Sequence, residues 1–180
     1  MLDPAQAALL VRVTARISAV LFATSLVAAA RRVGVRNPGA VRSARRGDLA
    51  AFGLWVAAHS IHFAAVALLA RATAGQNIRD AGGYAGTLAV GLTFYVACGA
   101  VFRVKARPAA AWTAAAERRV ETWTAIVVWI VFFQAYALRL TQSPLFAVLA
   151  LVLAAALAAF LMRARAPISS NMQRPSVGVS

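Results

Sequence analysis

The 180-residue chain is 62% hydrophobic and only 13% charged, and its formal net charge is +14. Ordinary soluble domains are about 45–50% apolar and about 25% charged. This composition therefore excludes a typical water-soluble fold and predicts an integral membrane protein. The basic residues lie between long apolar segments, which favours membrane topology and contact with anionic lipid head groups over nucleic-acid binding. The single cysteine, Cys98, excludes an internal disulfide and a thiolate metal cluster, and we expect it to be a packing residue.

The first apolar segment covers residues 7–30 and contains Arg12 and Arg16 in its first half. A cleaved signal peptide is an alternative interpretation. We favour a retained helix because the two charges come late and Arg31-Arg32 follow the segment directly. Arg12 and Arg16 are about one helical turn apart and can extend together toward the nearer membrane surface.

Four more apolar segments follow, at residues 49–70, 84–102, 122–140 and 145–162. A membrane span needs about 20 residues, and the backbone of each span must satisfy its own hydrogen bonds, so these segments are expected to be helices. The sequence thus predicts an all-α polytopic bundle of five transmembrane helices. The predicted transmembrane domain is 1–166, and 167–180 is expected to be a disordered cytoplasmic tail because it is rich in Ser, Pro and Asn.

Basic residues alternate between the gaps. The four gaps and the C-terminal stretch contain six, two, five, one and three, where the single residue of the fourth gap, Arg139, lies at the outer end of the fourth segment. They are Arg31, Arg32, Arg36, Arg42, Arg45, Arg46; Arg71, Arg79; Arg103, Lys105, Arg107, Arg118, Arg119; Arg139; Arg163, Arg165, Arg174. Because cytoplasmic loops are enriched in Lys and Arg, the N-terminus is predicted outside and the C-terminus in the cytoplasm. The strong preference for Arg over Lys and the abundance of Ala suggest a bacterial source, hence the bacterial inner membrane.

The only two histidines, His59 and His62, lie in the second segment. Their i, i+3 spacing places both rings on one helix face, on the order of 5 Å apart along the axis. Ionisable residues at membrane depth usually face the bundle interior and mark functional sites. The structural alternative is that neutral imidazoles hydrogen-bond to Ser, Thr, Gln or carbonyl groups of neighbouring helices.

The chemistry open to this pair is limited. A metal site needs three or four ligands, and the sequence offers no good third ligand beside His59 and His62, so no metal is expected and the pair is only a weak alternative. Two histidines on one face cannot supply both axial ligands of one haem, although one histidine with a weak or foreign second ligand could. Acid–base chemistry on a lipid or quinone-like substrate is also open.

Three further residues are candidate ligand contacts beside the histidines: Tyr95 on the third segment, and Trp129 and Gln134 on the fourth. Gln134 is the most unusual, because an amide buried in apolar surroundings must find partners. Trp129 and Tyr95 are interpreted first as core packing. A membrane-interface belt is expected for four other aromatic residues, Tyr84, Trp112, Trp123 and Tyr136.

Glycines on or beside the third segment predict a closely packed central helix there. The five acidic residues all lie outside the apolar segments, so an ion-coupled pump with an intramembrane carboxylate is not expected. Their positions are Asp3, Asp48, Asp80, Glu117 and Glu121.

Two functions of different class follow. The first is a non-enzymatic membrane module that binds or passes a small hydrophobic or cofactor-like ligand, or serves as an accessory subunit or homo-oligomer in a membrane complex. The second is a membrane enzyme or haem-binding redox protein acting through His59 or His62. The first is favoured, because catalytic sites assemble several convergent polar groups and only the histidine pair stands out.

Overall fold

The computed structural model describes residues 3–35, 38–73, 79–106 and 114–164. Within these residues the chain is all-helical and contains no strand. The helices are α1 (Pro4–Gly34), α2 (Pro38–Thr73), α3 (Arg79–Ala106), α4 (Ala114–Ala137) and α5 (Pro144–Ala164). The all-α prediction is confirmed.

Consecutive helices alternate in direction, as side-chain contacts at the two ends of the bundle show. At one end, Arg32 near the end of α1 contacts Asp48 of α2 and Glu121 in the first half of α4. At the other end, the Tyr136 hydroxyl on α4 donates a hydrogen bond of 3.0 Å to the Ala15 carbonyl on α1. Helix α1 packs most extensively, against α2 and α5, and is therefore the central element of the bundle.

The central position of α1 corrects the prediction for the third segment. The described part of α3 is largely exposed, and a Cβ atom added at Gly99 would meet nothing within 4 Å. Close packing occurs at Gly91, where an added Cβ would lie 3.2 Å from a ring carbon of Phe63 on α2. Small residues permit close approach, but only Gly91 is used in that way among the glycines whose surroundings are described.

Helices α2 and α4 begin furthest ahead of their apolar segments. Helix α2 begins at Pro38, so residues 40–48 are helical rather than loop, with Pro38 in the first turn where its missing N–H costs nothing. Helix α4 begins at Ala114 and ends at Ala137, so the predicted extension to Leu140 is wrong, and 138–142 form a turn. The predicted tail 167–180 lies outside the described residues.

Aromatic side chains from four helices fill the middle of the bundle. The Trp55 ring of α2 lies 4.9 Å, centroid to centroid, from Phe22 of α1, and Phe22 stacks at 5.3 Å on Phe132 of α4. Phe94 of α3 meets Trp55 edge to face at 5.3 Å, a geometry that aromatic pairs favour. Cys98 is buried in this core, as expected for a packing residue.

In the part of the chain that the structure describes, three helices are long and apolar enough to cross a membrane: Pro4–Arg32, Ala40–Thr73 and Pro144–Arg163. Their mean hydropathy values are 1.7, 1.7 and 2.8. Large apolar side chains also point outward from the bundle, including Leu151, which is 70% exposed. Such a surface is stable in hydrocarbon and unfavourable in water. The fold is therefore that of a multi-pass membrane protein.

Candidate functional site

The two histidines are both hydrogen-bonded to hydroxyl groups of α1. His59 Nδ1 lies 2.8 Å from Ser18 Oγ, and His62 Nδ1 lies 3.0 Å from Thr14 Oγ1. Ser18 and Thr14 are one helical turn apart, as are the histidines, so the two bonds form a ladder between antiparallel helices. His59 and Ser18 are buried, and His62 is half-buried.

The hydroxyl of Thr14 determines which way its bond to His62 runs. Thr14 Oγ1 donates its proton to carbonyls of its own helix, at 2.8 Å from the Leu10 oxygen and 3.2 Å from the Val11 oxygen. A hydroxyl has one proton, so Thr14 accepts from His62 Nδ1–H. The neutral ring then carries its proton on Nδ1, which leaves Nε2 as the ring's acceptor.

Aromatic rings enclose His59. Its ring centroid lies 4.4 Å from that of Phe94, 4.9 Å from Phe63 and 5.1 Å from Phe132, with the His62 ring at 5.5 Å. The inward orientation predicted for the pair is therefore observed. The surroundings are packed rings and an α1 hydroxyl, which are the partners of the structural alternative.

The other three predicted contacts do not converge on the histidines. Tyr95 is 40% exposed and reaches the histidine face only indirectly, through Phe94 and Phe63, whose ring centroids lie 5.5 Å and 6.1 Å from its own. Trp129 faces α5, where its Nε1–H donates a 2.9 Å bond to the Leu153 carbonyl. Gln134 is exposed, so the expectation of a buried amide is wrong.

The predicted membrane-interface belt of aromatic residues is observed for one of its members and not for another. Trp123 is 67% exposed, as an interfacial residue would be. Tyr136 is buried at 5% exposure and bonds to α1, so its assignment to the belt is wrong. The side chains of Tyr84 and Trp112 lie outside the described residues.

Sequence reasoning missed a buried cluster of four charges, to which α1 to α4 contribute one residue each. Lys105 Nζ lies 2.7 Å from both carboxylate oxygens of Asp48, and Arg32 Nε lies 2.8 Å from Asp48 Oδ2. Arg32 also pairs with Glu121 Oε2, and Lys105 Nζ lies 3.4 Å from Glu121 Oε1. Asp48, Lys105 and Glu121 are 1%, 6% and 5% exposed. We name this set the charge cluster.

The charge cluster shows that two of the acidic residues outside the apolar segments are nevertheless helical and buried. Asp48 and Glu121 are inside α2 and α4, and each is buried with two cations beside it. Two cations and two anions leave no net charge, which makes burial tolerable. A usable signal existed: all four residues lie within three positions of an apolar segment boundary, at ends that alternating helices bring together.

A lateral groove opens between α1, α2 and α5, with a volume of about 940 Å³. Its walls are mostly Ala and Val, and small residues such as Ala28, Ala44 and Ala155 keep it wide. The exposed Arg31 lines it close to the C-terminal end of α1. We name this feature the lateral groove. Nothing in the sequence pattern marked it, because it depends on how three helices pack.

Among the described residues, no group of three or more His, Cys, Asp or Glu side chains could hold a metal ion. Comparisons with protein-family models, with curated proteins and with solved structures gave no match. The function is therefore inferred from the geometry of this chain.

Proposed function

We propose that the chain is a non-enzymatic membrane module that holds a hydrophobic or amphipathic ligand in the lateral groove, alone or as an accessory subunit of a membrane complex. In this proposal all five helices span a bacterial inner membrane, with the N-terminus outside and the C-terminus in the cytoplasm. The observation that carries the proposal is the groove itself: an open, apolar site of about 940 Å³ with a cation at one end.

The polar groups favour binding over catalysis. The histidines are hydrogen-bonded to α1 and surrounded by rings, and the two buried carboxylates are neutralised by Lys105 and Arg32. Catalytic sites bring nucleophile, acid–base and stabilising groups to one accessible place. Here the polar groups are used to join helices.

The lining of the groove indicates the class of ligand. Alanine and valine walls suit hydrocarbon chains, and Arg31 can pair with a phosphate or carboxylate group at the membrane surface. An anionic lipid, or another amphiphile with an acidic head group and an apolar tail, combines both features.

The groove is tested by filling it. Ala155 lines the groove and is exposed on α5, so Ala155→Trp should displace the ligand. Ala158→Trp is the matched control, because Ala158 is exposed on the same helix and does not line the groove. We expect native mass spectrometry to show phosphatidylglycerol retained by the control and lost, at least several-fold, from Ala155→Trp. Equal retention by both variants would contradict the proposal.

The head-group contact is tested separately. Arg31→Gln should weaken retention of phosphatidylglycerol and leave that of phosphatidylcholine unchanged, because only the first carries net negative charge. Arg103→Gln provides the control, since Arg103 is an exposed arginine near the end of α3, away from the groove. If both substitutions lower retention alike, the contact is general surface charge and Arg31 has no specific role.

The haem-binding or enzymatic alternative has one observation in its favour. Ligating histidines usually use one ring nitrogen for the metal and bond the other to a neighbour, and Nδ1 of both His59 and His62 is bonded to a hydroxyl. The absorption spectrum of the purified protein distinguishes the two functions. A Soret band that His59→Ala or His62→Ala abolishes would replace the binding module by a haem protein.

A further inference from the structure

A small cavity lies between the aromatic core and the charge cluster. Its volume is about 40 Å³, and its lining includes Phe22 and Trp55 on one side and Lys105 and Glu121 on the other. A cavity needs roughly 10–15 Å³ of such volume to hold one water molecule. The space is therefore sufficient for at least one water.

Two residues that line this cavity each carry a buried polar atom with no hydrogen-bond partner within the described residues. The indole Nε1–H of Trp55 is a donor on a side chain that is 1% exposed, and Glu121 Oε1 is an acceptor on a residue that is 5% exposed. Lys105 Nζ is 3.4 Å from that oxygen, which is an ion-pair distance but long for a hydrogen bond. Buried polar groups are nearly always satisfied by protein or by ordered water.

Trp129 shows how this protein treats an indole that it can satisfy directly. Its Nε1–H donates to the Leu153 carbonyl at 2.9 Å. Trp55 is more deeply buried than Trp129, and burial without a partner is costly. A donor and an acceptor that lack partners, on residues that line the same cavity, form the usual setting of a buried water.

We propose that this cavity is an internal hydration site, in which water accepts a hydrogen bond from Trp55 Nε1 and donates one to Glu121 Oε1. Ser25 also lines the cavity; its hydroxyl donates to the Phe22 carbonyl at 2.8 Å, so its oxygen can accept from the same water. Three protein partners are the usual number for a buried water. The water extends the charge cluster toward the aromatic core and gives Glu121 Oε1 the hydrogen-bond donor that its ion pairs do not supply.

Radiolytic hydroxyl-radical labelling with mass spectrometry tests this proposal on the full-length protein in detergent, because bound water generates radicals beside buried side chains. We expect Trp55 and Phe22, which line the cavity, to be oxidised several-fold faster than Phe132, which is buried at 7% exposure and does not line it. Equally slow oxidation of all three would mean a dry cavity and would overturn the proposal.

A cavity-filling variant provides the second measurement. Ala29→Val adds two methyl groups at a lining position, whereas Ala30→Val adds them at a neighbouring residue of the same burial that does not line the cavity. Oxidation of Phe22 should fall to the level of Phe132 in Ala29→Val and stay high in Ala30→Val. Unchanged oxidation of Phe22 in a folded Ala29→Val protein would show that the radicals come from elsewhere. If that variant does not fold, the comparison within the wild-type protein decides. Failure of the hydration site leaves the lateral groove proposal intact, since the two share no assay.

Discussion

At the residue scale, the sequence indicated that the two histidines turn inward but not which residues they contact. The i, i+3 spacing of His59 and His62 was enough to place both rings on an interior face. Their partners, Ser18 and Thr14, could not be predicted, because the rotation of α1 about its axis is set by packing. Gln134 was misjudged for the same reason: its position in an apolar run does not reveal which side of α4 faces the bundle.

The ladder between α1 and α2 should contribute measurable stability. Ser18→Ala leaves His59 Nδ1 buried without its partner, and we expect a loss of about 1 kcal/mol in the free energy of unfolding, within the range for buried hydrogen bonds in membrane proteins. Ser60→Ala is the control, because Ser60 bonds only to the Val56 carbonyl of its own helix. Thermal or denaturant unfolding in micelles measures both. Equal free energies of unfolding for Ser18→Ala and Ser60→Ala would show that the ladder does not stabilise the protein.

At the element scale, hydrophobic runs located the helices, and charges at their ends decided how the helices meet. The apolar segments underestimate the lengths of α2 and α4, because the polar first turns of both helices lie before the apolar segment begins. Those polar turns carry Asp48 and Glu121 into contact with the ends of α1 and α3. Hydropathy values assign such residues to loops because each residue is scored separately. Pairing with an opposite charge removes most of the free-energy cost of burying a charged side chain.

Breaking the charge cluster should be far more damaging than removing one whole ion pair from it. Asp48→Asn leaves Lys105 and Arg32 to share the single carboxylate of Glu121. We expect a loss of about 3 kcal/mol, as for other buried pairs that lose one partner. The double variant Asp48→Asn with Lys105→Met keeps the Arg32–Glu121 pair and the neutral balance. Its stability should therefore exceed that of Asp48→Asn alone.

The comparison is made by chemical unfolding of each protein in the same detergent, with Arg46→Gln as an exposed charge change on α2. That control should lie close to the wild type. If the double variant loses as much as the two single substitutions added together, the four charges act independently and the cluster is not a cooperative unit.

At the scale of the whole molecule, composition alone identified the membrane as the solvent, and the chain order of apolar runs gave the all-helical class. The sequence could not give the lateral groove or the small cavity, since both are spaces between helices and depend on crossing angles and side-chain sizes together. The charge cluster adds a constraint that the sequence lacked: it holds the end of α3 beside the end of α1 and the start of α2. That arrangement bears directly on how many helices cross the membrane.

Among the described residues, three helices meet the length and hydropathy criteria for a membrane span. The alternating counts of basic residues instead predict five spans. A reporter after Ala110, between α3 and α4, separates the two topologies when α1 runs from outside to inside. Five spans place it in the cytoplasm, and three spans, by α1, α2 and α5, place it outside. Reporters after Arg46 and after Gln76 establish the orientation of α1 and α2. Both topologies place the first reporter in the cytoplasm and the second outside.

We expect alkaline phosphatase to be inactive after Ala110 and active after Gln76, with a fluorescent protein giving the reverse pattern. The physical reason is twofold. The basic residues around Ala110, including Lys105 and Arg107, are retained in the cytoplasm, and the ion pair of Lys105 with Asp48 holds the end of α3 on the side where α2 begins. Active phosphatase after Ala110, with the reporter after Arg46 still cytoplasmic, would put Lys105 and Asp48 on opposite sides of the membrane, contradict their ion pair and limit the protein to three spans. Inversion at all three sites would keep the number of spans and reverse the orientation.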